Sequence, residues 1–201
     1  MSKNSRDQKI FGSKIVRALP KRSLWYSTFI IFIFLVIMNG INVPNVIAAR
    51  AGYTGSIPMF TLDVLPGYSP AYLAEVLSTY GEAGRSAYAT SLMTLDMLFP
   101  ISYGVFFALL VRRMYLNLNV PVGLVNAMIA MPLLSMVLDW IENSTFVYLI
   151  SVYPVQPLAV AQFVSLVTLI KVSLYALTII SLVFGLGLMW KQRKSPAVEI
   201  A

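Results

Sequence analysis

The chain has 201 residues, 58% of them hydrophobic and 11% charged, whereas a soluble domain is about half apolar and about a quarter charged. It contains no cysteine and no histidine, which excludes disulfides, thiol catalysis, iron–sulfur ligation and histidine-based metal sites. We therefore expect no metal and no cofactor, and any acid–base chemistry would fall to carboxylate, tyrosine or lysine side chains. The composition predicts an all-α integral membrane protein, which the following segments resolve into a four-helix transmembrane bundle with both termini cytoplasmic.

Residues 1–23 form a basic tail. They hold seven Lys or Arg residues against one Asp, a local charge of +6 within the total of +7. Beside a hydrophobic span, such a run indicates the cytoplasmic side and contact with anionic membrane lipid rather than nucleic acid. Ile10, Ile15 and Leu19 recur at helical spacing, so the tail fits either an amphipathic helix ending at Pro20 or a frayed segment.

The first predicted span runs over residues 24–41, with Trp25 and Tyr26 at the interface. A cleaved signal peptide is the alternative, because Val46-Ile47-Ala48 is typical of a small-residue cleavage site. The mature chain would then begin near Ala49.

Residues 50–88 are polar and punctuated by Gly and Pro, and we predict a partly helical extracytoplasmic lid there. Ser69-Pro70 supplies an N-cap and a proline at the first helical position, and Gly81 supplies a C-terminal stop. A short helix over 70–80 is therefore expected.

Three further spans are predicted over residues 90–111, 122–148 and 158–190, followed by a cytoplasmic tail over 191–201. The second helix is expected to begin near Glu82 or Gly84, to carry Asp96 as the only formal charge of its span, and to kink at Pro100. Twelve of the fifteen basic residues then lie on one side, as the positive-inside rule requires. We interpret Gly123, Gly185 and Gly187 as packing contacts, because the chain has no G-x-x-x-G motif.

Depth in the membrane brings four charged residues to one layer. Counted from each helix's cytoplasmic end at 1.5 Å per residue, Asp96 lies at about 24 Å, Asp139 at about 27 Å, Lys171 at about 30 Å and Glu142 at about 32 Å. Ionisable groups inside a membrane protein indicate a functional site, with partners on neighbouring helices. We therefore predict a polar pocket in the outer half, among the second, third and fourth helices.

The predicted function is binding of an amphipathic or lipid-like small molecule in this pocket, with carboxylate acid–base chemistry as a further step. The candidate catalytic residues are Asp96, Asp139 and Glu142. The candidate ligand-binding residues are Arg85, Tyr88, Tyr103, Asn143 and Lys171.

Two alternatives remain open. The charged residues also fit interhelical ion pairs that only stabilise the bundle, with Lys171 extending its ammonium toward the interface. The protein would then suit a different class, a non-catalytic accessory subunit that packs against a membrane protein partner. The hydrophobicity predicts multi-pass insertion in either case, and we expect it in the cell membrane.

Overall fold

Six helices account for most of the described chain. The computed structural model describes residues 9–11, 23–38, 52, 62, 65 and 67–194. Within these ranges the chain is all-helical, without strands. The helices are α1 Ser23–Ile37, α2 Pro70–Thr79, α3 Gly81–Met93, α4 Leu95–Tyr115, α5 Val122–Ser151 and α6 Leu158–Lys194.

Three helices, α4, α5 and α6, are long and apolar enough to cross a bilayer, which confirms the membrane-protein class. The helix α1 lies within the predicted first span and has 15 residues. Its length of about 22 Å is less than the thickness of a hydrocarbon core, about 30 Å. Residues 39–51, where signal-peptide cleavage was considered, lie outside the described residues. So do most of the basic tail and residues 195–201.

The predicted second helix is wrong in one respect, because it is two helices. Thr94, with φ −120° and ψ −90°, separates α3 from α4. Pro100 lies inside α4, as expected. The interruption at Thr94 falls just before Asp96.

The short helix between the first two spans is confirmed as α2. The Ser69 hydroxyl accepts a hydrogen bond from the Tyr72 N–H at 3.1 Å, Pro70 occupies the first turn, and Gly81 has φ +61° after the helix ends. Leu73 and Leu77 are buried, and they pack in an outer apolar cluster with side chains from α3, α5 and α6. This cluster fixes α2 across one end of the bundle.

The helix α5 is central, since it contacts α3, α4 and α6. On the far side of α4, Phe32 of α1 stacks on Phe106 with ring centroids 5.0 Å apart. The described residues of the basic tail pack on α5. Ile10 is buried, and the Phe11 N–H donates to Asn126 Oδ1 at 2.9 Å. These contacts tie both N-terminal segments to the end of the bundle opposite α2.

Only one of the three glycines interpreted as packing contacts meets a neighbour. A Cβ on Gly185 would overlap the Met114 side chain and lie 3.2 Å from the Tyr115 ring, whereas nothing lies within 4 Å of a Cβ built on Gly123 or Gly187. The Tyr115 hydroxyl also donates to the Ser181 carbonyl. Gly185 therefore lets α6 approach the end of α4 closely.

The pair Gly185 and Gly187 gives a matched test of this packing. We expect Gly185→Leu to lower stability by about 1–3 kcal/mol, since overpacking forces neighbours to shift, and Gly187→Leu to have little effect. Thermal unfolding of both variants in the same detergent is the measurement. Equal stability of the two variants would show that the close approach is unimportant.

Candidate functional site

Lys171 of α6 lies between two carboxylates of α5. Its ammonium donates to Asp139 Oδ1 at 3.1 Å and also to Glu142 Oε2. Asp139 and Glu142 are three residues apart in one helix, so both carboxylates face α6. The three residues are buried, and the fractional exposure is 4% for Asp139, 0% for Glu142 and 7% for Lys171. The predicted meeting of these charges is therefore confirmed.

Every oxygen of the two carboxylates has a described donor. Tyr103 donates its hydroxyl proton to Asp139 Oδ2 at 3.0 Å, and Thr168 donates to Glu142 Oε1. Taking ions out of water is costly, and the cost is offset only when their remaining hydrogen-bonding sites are satisfied as well. The local hydrogen bonds thus make a buried ion pair tolerable between α5 and α6.

Tyr68 extends these hydrogen bonds from α6 to the segment before α2. Its hydroxyl lies 3.2 Å from Thr168 Oγ1, and its backbone N–H and C=O both bond to the Ser165 hydroxyl, at 3.0 and 2.7 Å. A hydrogen-bonded series therefore runs from Tyr68 through Thr168, Glu142, Lys171 and Asp139 to Tyr103. We call this series the polar network.

Asp96 is positioned by a different interaction, which depends on Pro100. A proline has no N–H, so Pro100 cannot bond the Asp96 carbonyl one turn earlier. Asn143 Nδ2 donates to that carbonyl at 3.0 Å, and Trp140 Nε1 donates to the next carbonyl, that of Met97, at 3.1 Å. Two side chains of α5 therefore satisfy backbone groups around the proline and fix the start of α4.

A cavity of about 330 Å³ opens beside the polar network. Its polar lining consists of Asp96, Ser135, Asp139 and Lys171, and its remaining walls are Phe99, Tyr103, Val172 and Tyr175. Residues of α4 and α6 form its sides and residues of α5 its floor. The cavity therefore lies between α4 and α6, where the Tyr175 ring of α6 packs edge-on to Tyr103 and Phe107 of α4. Tyr175, at 37% exposure, marks its outer edge.

The structure divides the sequence-predicted residues into three groups. Asp96, Asp139, Tyr103 and Lys171 line the cavity. Glu142 and Asn143 lie next to the residues that line the cavity. Glu142 belongs to the polar network, and Asn143 donates a hydrogen bond to the Asp96 carbonyl.

Arg85 and Tyr88 form the third group, and the described chain places them elsewhere. The Arg85 guanidinium donates to the Leu77 carbonyl at 3.0 Å and lies 3.8 Å from the centre of the Tyr153 ring. Tyr88 is buried edge-on to Tyr80, with ring centroids 5.5 Å apart. Both residues therefore contribute to the outer apolar cluster, and neither lines the cavity.

Sequence reasoning missed several residues of the site. Ser135 precedes Asp139 by four positions and Thr168 precedes Lys171 by three, so helical periodicity alone would have placed both on the charged faces. Tyr68 carries no such signal, because it is 100 residues from Thr168. Among the described residues, no group of three His, Cys, Asp or Glu side chains is placed to hold a metal ion.

Comparison with known proteins adds no functional assignment. No family model matches the chain, and no curated protein or solved structure is significantly similar to it. The function must therefore be argued from the cavity and the polar network.

The buried ion pair predicts a strong effect of removing its cation. Lys171→Met is expected to cost about 3–5 kcal/mol, because Asp139 and Glu142 lose the ammonium that compensates them. Glu142→Gln in the same chain should recover part of this loss, since Gln keeps an oxygen for the Thr168 proton but removes one charge. Unfolding in detergent measures both variants. A double variant no more stable than Lys171→Met would contradict the ion-pair explanation.

The proline arrangement predicts that two substitutions depend on each other. Asn143→Leu should cost about 1–3 kcal/mol, because the Asp96 carbonyl is left buried without a donor. In a Pro100→Ala chain the new N–H can bond that carbonyl, so Asn143→Leu should cost less. A double-mutant cycle measures the difference. The same cost in both chains would mean that Asn143 does not compensate for Pro100.

Proposed function

We propose that the protein binds an amphipathic, lipid-like small molecule in the cavity between α4, α5 and α6. The observation that carries the proposal is the division of the cavity walls into a charged part and an apolar part. Small-molecule sites typically combine apolar walls with a few fixed polar groups, and they begin at volumes of about 300 Å³. The cavity, at about 330 Å³, meets the lower end of this range.

The arrangement of the walls supports one orientation of the ligand. Its polar end would meet Asp96, Asp139 and Lys171, and its apolar part would lie along Phe99 and Val172 toward the cleft between α4 and α6. A cleft between two apolar helices suits entry from the lipid phase. The fixed ammonium and carboxylates would bind hydroxyl, amine or acidic groups without much rearrangement, because the polar network holds them.

The same groups suit proton transfer. Asp96 and Asp139 lie at the cavity, and the polar network connects Asp139 with the half-buried Tyr68 in the segment before α2. If the bound molecule reacts, the carboxylates would act as acid and base in a proton transfer or isomerisation. Lys171 would then keep the charge on Asp139 stable and orient its carboxylate.

We also propose four spans in the cell membrane with both termini cytoplasmic. The helix α1 would form the first span. The distribution of basic residues supports this orientation, since the tail, the end of α4 and the end of α6 hold twelve of fifteen. The lid and the cavity would then face the outer leaflet.

Filling the cavity tests the binding proposal. Val172→Trp adds bulk to the cavity wall, whereas Val183→Trp adds the same bulk to a side chain of α6 that is 63% exposed. We expect native mass spectrometry of the purified protein to show a co-purified small molecule in the parent chain and in Val183→Trp. The molecule should be absent from Val172→Trp.

Asp96→Asn tests the polar end of the cavity without filling it. Loss of one charged hydrogen bond corresponds to about a tenfold weaker binding, measured by titrating the extracted molecule back. Unchanged binding in Asp96→Asn and in Val172→Trp would overturn the proposal. Stoichiometric purification with another membrane protein, and without any small molecule, would instead identify the accessory subunit.

A further inference from the structure

A second and larger cavity lies at the opposite end of the bundle. Its volume is about 710 Å³, and it lies between the last turns of α4, the link after α4 and the end of α6. Leu110, Met114, Leu186 and Met189 contribute to its apolar walls. This cavity shares no residue with the one proposed to bind the lipid-like ligand.

The lengths of the two helices explain why the cavity forms. Gly185 holds α6 against Met114 and Tyr115 at the end of α4. The chain leaves α4 after Tyr115, whereas α6 continues to Lys194. The last turns of α6 therefore extend past their partner helix and leave a space beside the link.

The polar side chains of the cavity are basic or neutral. Arg113 ends α4 and Arg193 lies near the end of α6, and Asn117 and Gln192 are the other polar lining residues. The described acidic residues all lie toward the other end of the bundle; they are Glu75, Glu82, Asp96, Asp139 and Glu142. Both charged residues among the described lining residues are therefore cationic.

The depth of the cavity matches the level of lipid headgroups. Trp190, which is 62% exposed, lies between Met189 of the apolar wall and the exposed Lys191. Tryptophan is enriched at the boundary between hydrocarbon and headgroups. Basic pockets between transmembrane helices on the cytoplasmic side bind anionic lipid headgroups.

We infer that this cavity binds one anionic phospholipid. Arg113 and Arg193 would hold the phosphate, since a guanidinium can donate two parallel hydrogen bonds to it. The acyl chains would lie along Leu110, Met114 and Leu186. These apolar walls favour a lipid over free phosphate, which shares the same anionic group. The site is separate from the lipid contact expected of the basic tail.

The test compares two arginines with a neighbouring lysine. Arg113, Arg193 and Lys191 are all exposed, so substitution with Gln should preserve the fold, and Lys191 is outside the cavity lining. Delipidated protein is titrated with phosphatidylglycerol in detergent and analysed by native mass spectrometry. We expect one tightly bound lipid, at least tenfold weaker binding in R113Q/R193Q and unchanged binding in K191Q.

Three further measurements distinguish the possible outcomes. Phosphatidylcholine should bind at least tenfold more weakly, and Val172→Trp should leave phosphatidylglycerol binding unchanged, because it alters only the other cavity. Equal loss in K191Q and R113Q/R193Q, or equal binding of both lipids, would overturn the inference in favour of general surface attraction. Displacement by millimolar inorganic phosphate would overturn the assignment to a lipid.

Discussion

The ammonium of Lys171, held between Asp139 and Glu142, is the interaction on which the end of the bundle beside α2 depends. Lipid on the outside of the bundle offers no hydrogen bonds, so these charges must be satisfied within the protein. Thr168 and Tyr103 donate hydrogen bonds to the remaining carboxylate oxygens of Glu142 and Asp139. Tyr68, in the segment before α2, hydrogen-bonds to Thr168. One network therefore joins α4, α5 and α6 with the segment before α2. It also fixes charged groups at a cavity wall, where freely moving side chains would bind a ligand less well.

Pro100 shows how a local defect can be used to join helices. The proline leaves a carbonyl without its intrahelical donor, and Asn143 provides a replacement from α5. Trp140 acts in the same way on the following carbonyl. Asp96 lies in the first turn of α4, directly after the break at Thr94, so these two bonds hold the segment that carries it. The polar face of α5 thus supports the cavity in two ways. It forms the ion pair with α6, and it donates hydrogen bonds to the Asp96 and Met97 carbonyls of α4.

The sequence predicted the spans α4, α5 and α6 and the meeting of Asp139, Glu142 and Lys171, because apolar length and depth along a regular helix are local quantities. Arg85 and Tyr88 were predicted on one continuous second helix, whereas the helix is interrupted at Thr94 and neither side chain lines the cavity. Tyr68 was missed because its contacts with Ser165 and Thr168 of α6 join positions 97 and 100 residues apart, which no local pattern connects. Gly185 and Gly187 were both predicted to be helix-packing contacts. The sequence around them did not show that only Gly185 faces Met114.

The two cavities differ in character because charge is separated along the bundle. The described acidic residues lie toward the end of the bundle covered by α2, together with Lys171 and Arg85, whereas Arg113 and Arg193 lie at the other end. A ligand at one cavity would therefore meet carboxylates with an ammonium, and a ligand at the other would meet guanidinium groups. The helix α6 lines both cavities, and Gly185, which packs against Met114 and Tyr115 of α4, lies along α6 between the residues that line one cavity and those that line the other. A larger side chain at position 185 would first displace the flexible end of the Met114 side chain, which lines the cavity that holds Arg113 and Arg193, so its effect would fall on that cavity before the other.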